Sequence, residues 1–133
     1  MSELALTNQP ELLELDCFRW MYEASDEWGH HCLRYLDLSG APNLKRLDCR
    51  RNLLAELDLN CVTQLRELDC SSNALTDLDL SRVPMLEVLR CGNESYHSVW
   101  IERLDIRPLL GIKELHCDKC TLLIQRPDQH FHA

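Results

Sequence analysis

Residues Leu65 to Leu75 read LRELDCSSNAL, and this stretch decides the fold. Leu65 and Leu68 lead into Cys70, and Asn73 and Leu75 close the segment. The same spacing occurs 21 residues earlier as Leu44-Lys45-Arg46-Leu47-Asp48-Cys49. It occurs again 21 residues later as Leu86-Glu87-Val88-Leu89-Arg90-Cys91. More distant copies are Leu12-Leu13-Glu14-Leu15-Asp16-Cys17 and Ile112-Lys113-Glu114-Leu115-His116-Cys117. Five cysteines therefore share one register.

A second series runs between these copies: Leu33-Arg34-Tyr35-Leu36-Asp37-Leu38, Leu54-Ala55-Glu56-Leu57-Asp58-Leu59, Leu75-Thr76-Asp77-Leu78-Asp79-Leu80 and Ile101-Glu102-Arg103-Leu104-Asp105-Ile106. The 21-residue unit thus divides into halves of 10 and 11, one ending in Cys and the other in Leu or Ile. Alternate residues of an extended segment point to opposite faces, so each half turns its aliphatic residues inward and its charged residues outward. No single coil can bury that face alone. Stacked coils turn every inward place into a ladder. A coil of 21 residues leaves no room for a full helix on its second side, where extended or 3₁₀ backbone is expected.

The segment Leu65 to Leu75 matches the pattern LxxLxLxxNxL, with Cys70 at the third apolar place and Asn73 at the Asn place. On these residues the chain resembles the leucine-rich-repeat family, and its nested 10 and 11 spacing resembles the short-repeat bacterial class. The resemblance runs from residue 12 to about 123. It implies an α/β-type solenoid, largely β, of about five coils with parallel strands and little convex helix. Asn52 and Asn73 are expected to be buried turn residues whose amides satisfy backbone groups. Trp20, Glu94 and Cys120 take that place in the other coils.

Composition agrees with a single packed domain. Leucine supplies 27 of 133 residues, the excess that a repeat needs, and 45% of the chain is hydrophobic against 27% charged. No run approaches the roughly 20 apolar residues of a membrane span. The opening residues have no basic region, so a secretory signal is not expected and a cytoplasmic location is. A net charge of -8 argues against nucleic acid or an anionic membrane as partner and favours a protein with a basic surface.

Two insertions interrupt the repeat at the same corner, after a Cys-series segment and before a Leu-series segment. About 11 extra residues lie near 18–32 and five near 92–100. At roughly 4.8 Å per coil, the insertions are expected about 14 to 15 Å apart along one edge. They hold all three tryptophans, Trp20, Trp28 and Trp100, together with Tyr22, Tyr96 and His97. The corners between them offer Arg50, Arg51, Ser71 and Ser72. Aromatic residues beside arginine are the usual composition of binding hot spots, so these residues form the first candidate partner site. The same aromatics could instead fold back and cover the solenoid edge, because an uncapped repeat exposes apolar surface.

Asp37, Asp58, Asp77, Asp79 and Asp105 form an acidic face on the Leu series, while the Cys series carries mixed charge. The aspartates form either a basic partner's docking face or local acceptors for the backbone of the following turn. The ladder cysteines Cys17, Cys49, Cys70, Cys91 and Cys117 are expected to be buried, reduced and unreactive. Cys117, Cys120, His130 and His132 offer the one metal-like set, with donors that suit zinc, although both cysteines already have places in the repeat. No nucleophile elbow, phosphate loop or HExxH motif occurs, so neither an enzyme nor a cofactor is expected.

The expected organisation is one domain over residues 1–133: a short helical cap at 1–11 around Leu4 and Leu6, repeats over 12–123, and a polar tail at 124–133 that leaves the stack. The expected function is a monomeric protein-interaction module, an adaptor or stoichiometric inhibitor. A zinc-binding protein and a bacterial effector delivered to a host cell are the alternatives.

Overall fold

The computed structural model describes residues 3–17, 33–93, 99–119 and 121–132. Every regular element among them is a three-residue strand: β1 (Glu3–Ala5), β2 (Glu14–Asp16), β3 (Tyr35–Asp37), β4 (Arg46–Asp48), β5 (Glu67–Asp69), β6 (Val88–Arg90), β7 (Arg103–Asp105), β8 (Glu114–His116) and β9 (Leu122–Ile124). The Cys series forms a five-stranded parallel sheet in the order β2-β4-β5-β6-β8. Register follows the 21-residue unit, with Leu47 opposite Leu68 and Leu68 opposite Leu89. Leu15 pairs with Leu47 across 32 residues and Leu89 with Leu115 across 26, so both insertions are absorbed without any slip in register. A one-residue slip would send the leucine of every strand to solvent, which is why burial fixes the pairing so firmly.

The Leu series builds the opposite side. β1 pairs with β3 and β7 with β9, both in parallel. In the two middle coils the inward leucines Leu57 and Leu78 remain buried, while segments 56–58 and 77–79 are not paired as strands. The second corner of each coil is a pair of tight turns. Ala41 N–H donates to Leu38 O and Leu44 N–H to Ala41 O, and Val62, Leu65, Val83 and Leu86 repeat the arrangement. These three-residue closures are the local 3₁₀-type bonding that a coil too short for a helix requires. Between the two sides lies one continuous core, with Leu44, Leu65 and Leu86 fully buried. Each such leucine contributes roughly 1.5–3 kcal/mol by leaving water.

Both ends differ from expectation. The N-terminal residues do not form a helix. Leu4 aligns with Leu36 in the β1–β3 pair, and residues 3–12 trace a further half-coil. Leu6 N–H donates to Asp37 O at 3.0 Å, and Leu12 N–H to Gln9 O at 3.2 Å, which repeats the second-corner turn. The alternation of Leu4 and Leu6 has period two, and an edge strand was waiting to be paired; that outweighs any cap propensity.

The C-terminal segment does not leave the stack either. Leu123 sits opposite Leu104 in the β7–β9 pair. Gln129 is buried and donates from Nε2 to Ile106 O at 2.8 Å and Leu109 O at 3.0 Å, while its Oε1 accepts from Arg126 N–H at 2.8 Å. Arg126 also bonds the carbonyl of Arg107, and Phe131 packs against the core. The tail thus satisfies carbonyls that the last full coil leaves open.

Gly40 sets how closely the first half-coil can approach. A Cβ built there would lie 2.0 Å from Leu6 O and 2.7 Å from Thr7 Cα, both rigid backbone. Gly40→Ala is expected to push the β1 half-coil outward and destabilise the fold by roughly 1–3 kcal/mol. Urea unfolding should show the loss as a lower midpoint; an unchanged midpoint would mean that residues 3–12 do not pack there.

Candidate functional site

The first corner, which follows each Cys-series strand, is where both insertions leave the solenoid. Its geometry rests on two asparagines. Asn52 is buried and donates from Nδ2 to Cys17 O and Cys49 O, both at 3.0 Å, while Leu33 N–H donates to its Oδ1 at 2.9 Å. One side chain therefore holds Cys17 and Leu33, the described residues on either side of the first insertion. Asn73 repeats this one coil later, donating to Cys49 O at 3.0 Å and Cys70 O at 3.1 Å and accepting from Leu54 N–H at 3.1 Å. The second insertion is tied differently: Asn93 donates from Nδ2 to Val99 O, and Asn93 N–H donates to Asp118 Oδ1 at 2.9 Å.

Between these anchors lie the corners of the second and third coils. Arg51 N–H donates to Ser71 O at 2.9 Å and Ser72 N–H to Gly92 O at 3.1 Å, so Arg51 and Ser72 stack along the edge. Both take left-handed backbone, with φ of 58° and 55°. That conformation is uncommon for residues other than glycine, asparagine and aspartate. Trp100 lies exposed at the return of the second insertion. Trp20, Tyr22, Trp28, Tyr96 and His97 lie outside the described residues. One feature of this edge had escaped the sequence reading: Leu53 and Trp100 are both exposed and hold the same place, immediately before the inward Leu54 and Ile101. Ala74 holds that place in the coil between them. The signal was the register itself, since the residue ahead of each inward leucine faces outward.

The two strand faces handle charge differently. On the five-stranded sheet, ion pairs link successive coils: Arg46 to Glu67 at 3.3 Å, Arg66 to Glu87 at 3.6 Å, Lys113 to Glu87 at 2.8 Å and Arg90 to Glu114 at 2.6 Å. Arg50 reaches Asp48 at 3.2 Å and Asp69 at 3.9 Å. A shallow depression of about 140 Å³ opens among Arg46, Asp48, Arg50, Glu67, Asp69 and Arg90. Burial holds the Asp48 carboxyl above its ordinary value, against the Arg50 contacts that pull it down.

On the other face the aspartates act as turn acceptors. Ser39, Asn60 and Ser81 each donate a backbone N–H to Oδ1 of Asp37, Asp58 and Asp79 at 2.9 Å. Asp77 accepts from Leu78 N–H at 2.9 Å, and Asp105 from Arg107 N–H at 3.0 Å. The backbone bond from Ser39 lowers the Asp37 carboxyl below its usual range; the Ser81 hydroxyl bond lowers Asp79, and the Arg107 guanidinium lowers Asp105. Local backbone bonding thus occupies one oxygen of each carboxylate, and at Asp105 the Arg107 guanidinium takes the other as well, at 2.8 Å. Asp58, Asp77 and Asp79 form no ion pair with another described residue, and neither does the neighbouring Glu56.

The cysteine ladder is stacked as expected. Cys49, Cys70 and Cys91 are buried, Cys17 and Cys117 are half-buried at the two ends, and all five are free thiols. Burial pushes the Cys49, Cys70 and Cys91 thiols well above their ordinary value, and it pushes Cys17 up to about 11 with help from Asp48 and Asp16. Such thiols stay protonated and act as small apolar groups. At the C-terminus, Cys117 follows β8, whereas the segment carrying the exposed His130 and His132 is drawn toward Ile106 and Leu109 at the second corner. Cys120 lies outside the described residues. Among those described, no three His, Cys, Asp or Glu side chains are grouped to hold a metal. Among the described residues, no helix is long and apolar enough to cross a membrane.

No protein-family model matches the sequence, and no curated protein matches it. Among solved structures, the functional domain of InlJ from Listeria monocytogenes, which includes a cysteine ladder, is similar, with a TM-score of 0.66 and 25% identity over 89% of this chain. The fold is that of a leucine-rich-repeat solenoid. This chain spans 23% of the length of the InlJ chain, so it corresponds to a part of that protein. In this leucine-rich-repeat solenoid, too, cysteines of successive coils stand in one column.

The ladder leads to a direct check on thiol accessibility. In a Cys32→Ser, Cys120→Ser background, exposed Cys61 should react at once with a chromogenic disulfide reagent. Cys49, Cys70 and Cys91 should react only at the rate of unfolding. Rapid labelling of Cys70 in the folded protein would place it outside the core.

Proposed function

We propose that this chain is a non-enzymatic protein-interaction module that presents its first-corner edge to a protein partner. One observation carries the reading. Both insertions enter and return at the same corner, and neither disturbs the pairing register of the sheet below. A solenoid that needed extra residues for stability would be expected to spend them on its ends. Here the ends are completed by β1 and by Gln129, and both additions leave and return at the first corner. Trp20, Tyr22, Trp28, Tyr96, His97 and Trp100 supply the anchors in this proposal, with Arg50 and Arg51 between them.

The partner proposed is a protein with a basic surface, met by the aspartates of the Leu-series face: Asp37, Asp58, Asp77, Asp79 and Asp105. Free ladder thiols favour the reducing cytoplasm as the compartment, and the module is taken to act as a monomer of the short-repeat bacterial type.

A pull-down from native lysate with wild type and a Trp28→Ala, Trp100→Ala variant tests this, with circular dichroism first establishing that both are folded. Proteins retained by wild type and lost by the variant are the expected result. Equal retention by both would remove the aromatic residues from the site. Unfolding of the variant would show that they cover the solenoid edge instead.

A further inference from the structure

The places ahead of Leu54, Leu75 and Ile101 put exposed Leu53, half-buried Ala74 and exposed Trp100 in successive coils, about 4.8 Å apart per coil. They make a short apolar strip along the edge between the anchors of the two insertions. Immediately beyond it on the Leu-series face come Glu56 and Asp58 in one coil and Asp77 and Asp79 in the next. Glu56 is three residues past Leu53, roughly 10 Å along an extended chain.

The five-stranded sheet does not combine these two properties. It has as many carboxylates, but Glu67, Glu87 and Glu114 are each held by an arginine or lysine of a neighbouring coil. A cationic partner landing there must displace cations already in place. On the Leu-series face, among the described residues, Asp105 is the acid neutralised by ion pairing, with Arg107 at 2.8 Å, and Arg82 acts on Asp79 only at longer range. The acids of the two middle coils therefore lie beside an apolar strip without paired cations.

Resting on the reading of the chain as a protein-binding module, we propose that the occupant of this strip is an extended, lysine- or arginine-bearing segment of the partner protein. An extended chain sends alternate side chains to opposite sides. Lying between the strip and the acids, such a segment turns apolar residues onto Leu53 and Trp100. Its cations meet Glu56, Asp58, Asp77 and Asp79. Electrostatic complementarity steers the encounter, and the apolar contacts hold the register.

A short synthetic peptide alternating lysine and leucine is the probe, with its glutamate–leucine counterpart as control. Fluorescence anisotropy gives affinity, and amide chemical-shift mapping of the labelled 133-residue protein locates the site. A Glu56→Gln, Asp58→Asn, Asp77→Asn, Asp79→Asn variant keeps every Oδ1 acceptor yet removes four charges. It is expected to weaken binding of the lysine peptide about tenfold or more. Glu14→Gln, Glu67→Gln, Glu87→Gln, Glu114→Gln removes four charges from the other sheet and should have little effect. Should the first variant fold poorly, Glu56→Gln alone at its exposed position should still weaken binding.

Shifts confined to the Leu53–Ala74–Trp100 strip and the adjoining acids support the proposal. Equal weakening by both variants, shifts centred on the five-stranded sheet, or no binding overturns it. The failure of this proposal is separable from failure of the module itself. If lysate proteins lost by the tryptophan variant are still retained by the four-acid variant, the module stands and its basic occupant does not.

Discussion

The second and third coils of this solenoid turn backbone carbonyls inward at the first corner, and a buried asparagine amide is what makes that arrangement tolerable. Asn52 and Asn73 each serve two coils at once, donating to carbonyls of their own coil and of the one before, and accepting an N–H from the start of the preceding coil's Leu-series segment. An amide has two donors and a carbonyl oxygen, so it can close three such groups without leaving a buried remainder. Leaving any of them open costs roughly 1–3 kcal/mol. The cysteine three residues earlier supplies one of the carbonyls that each amide closes, Cys49 O for Asn52 and Cys70 O for Asn73. The ladder of thiols and the ladder of amides are thus two parts of one corner.

That corner also explains why insertion is possible there. Asn52 fixes Cys17 O and Leu33 N–H whatever lies between them, so the chain can leave and return without passing strain to the sheet. Asn93 does comparable work for the second insertion through Val99 O. The second corner of the middle coils has no buried amide clamp of this kind. Its paired backbone turns are entered through an aspartate acceptor, as where Asn60 and Ser81 N–H donate to Asp58 and Asp79, and each extra residue would open them.

Much of this was legible in the sequence because the 21-residue repeat writes its register into every position. Leucine burial, the cysteine column, the role of Asn52 and Asn73, and the turn-acceptor reading of the aspartates all follow from spacing plus elementary chemistry. The ends were less legible because their signals are single copies. Leu4 and Leu6 show a period of two over too few residues to outweigh the expectation of a cap, although Pro10 and Leu12 follow at the spacing of Pro42 and Leu44. Gln129 was missed because glutamine in a polar tail looks solvated. The available hint was Arg126-Pro127 repeating Arg107-Pro108. Leu53 was illegible for a different reason: a lone outward leucine carries no meaning until the coils beside it are stacked.

The distribution of charge follows from the same geometry. Every strand of the five-stranded sheet is bonded to its neighbours, which brings outward side chains of successive coils within ion-pair range; acids and bases there are matched coil by coil. In the middle of the Leu-series face the segments are not bonded as strands, and aspartate is needed at each turn for its acceptor oxygen rather than for a neighbour's charge. A column of aspartates is the by-product of a local requirement repeated once per coil, and its second oxygens accumulate as an unneutralised field. The face that folding leaves acidic is also the one adjoining the exposed leucine and tryptophan of the edge. Turn chemistry thus concentrates unpaired negative charge beside the most apolar part of that edge.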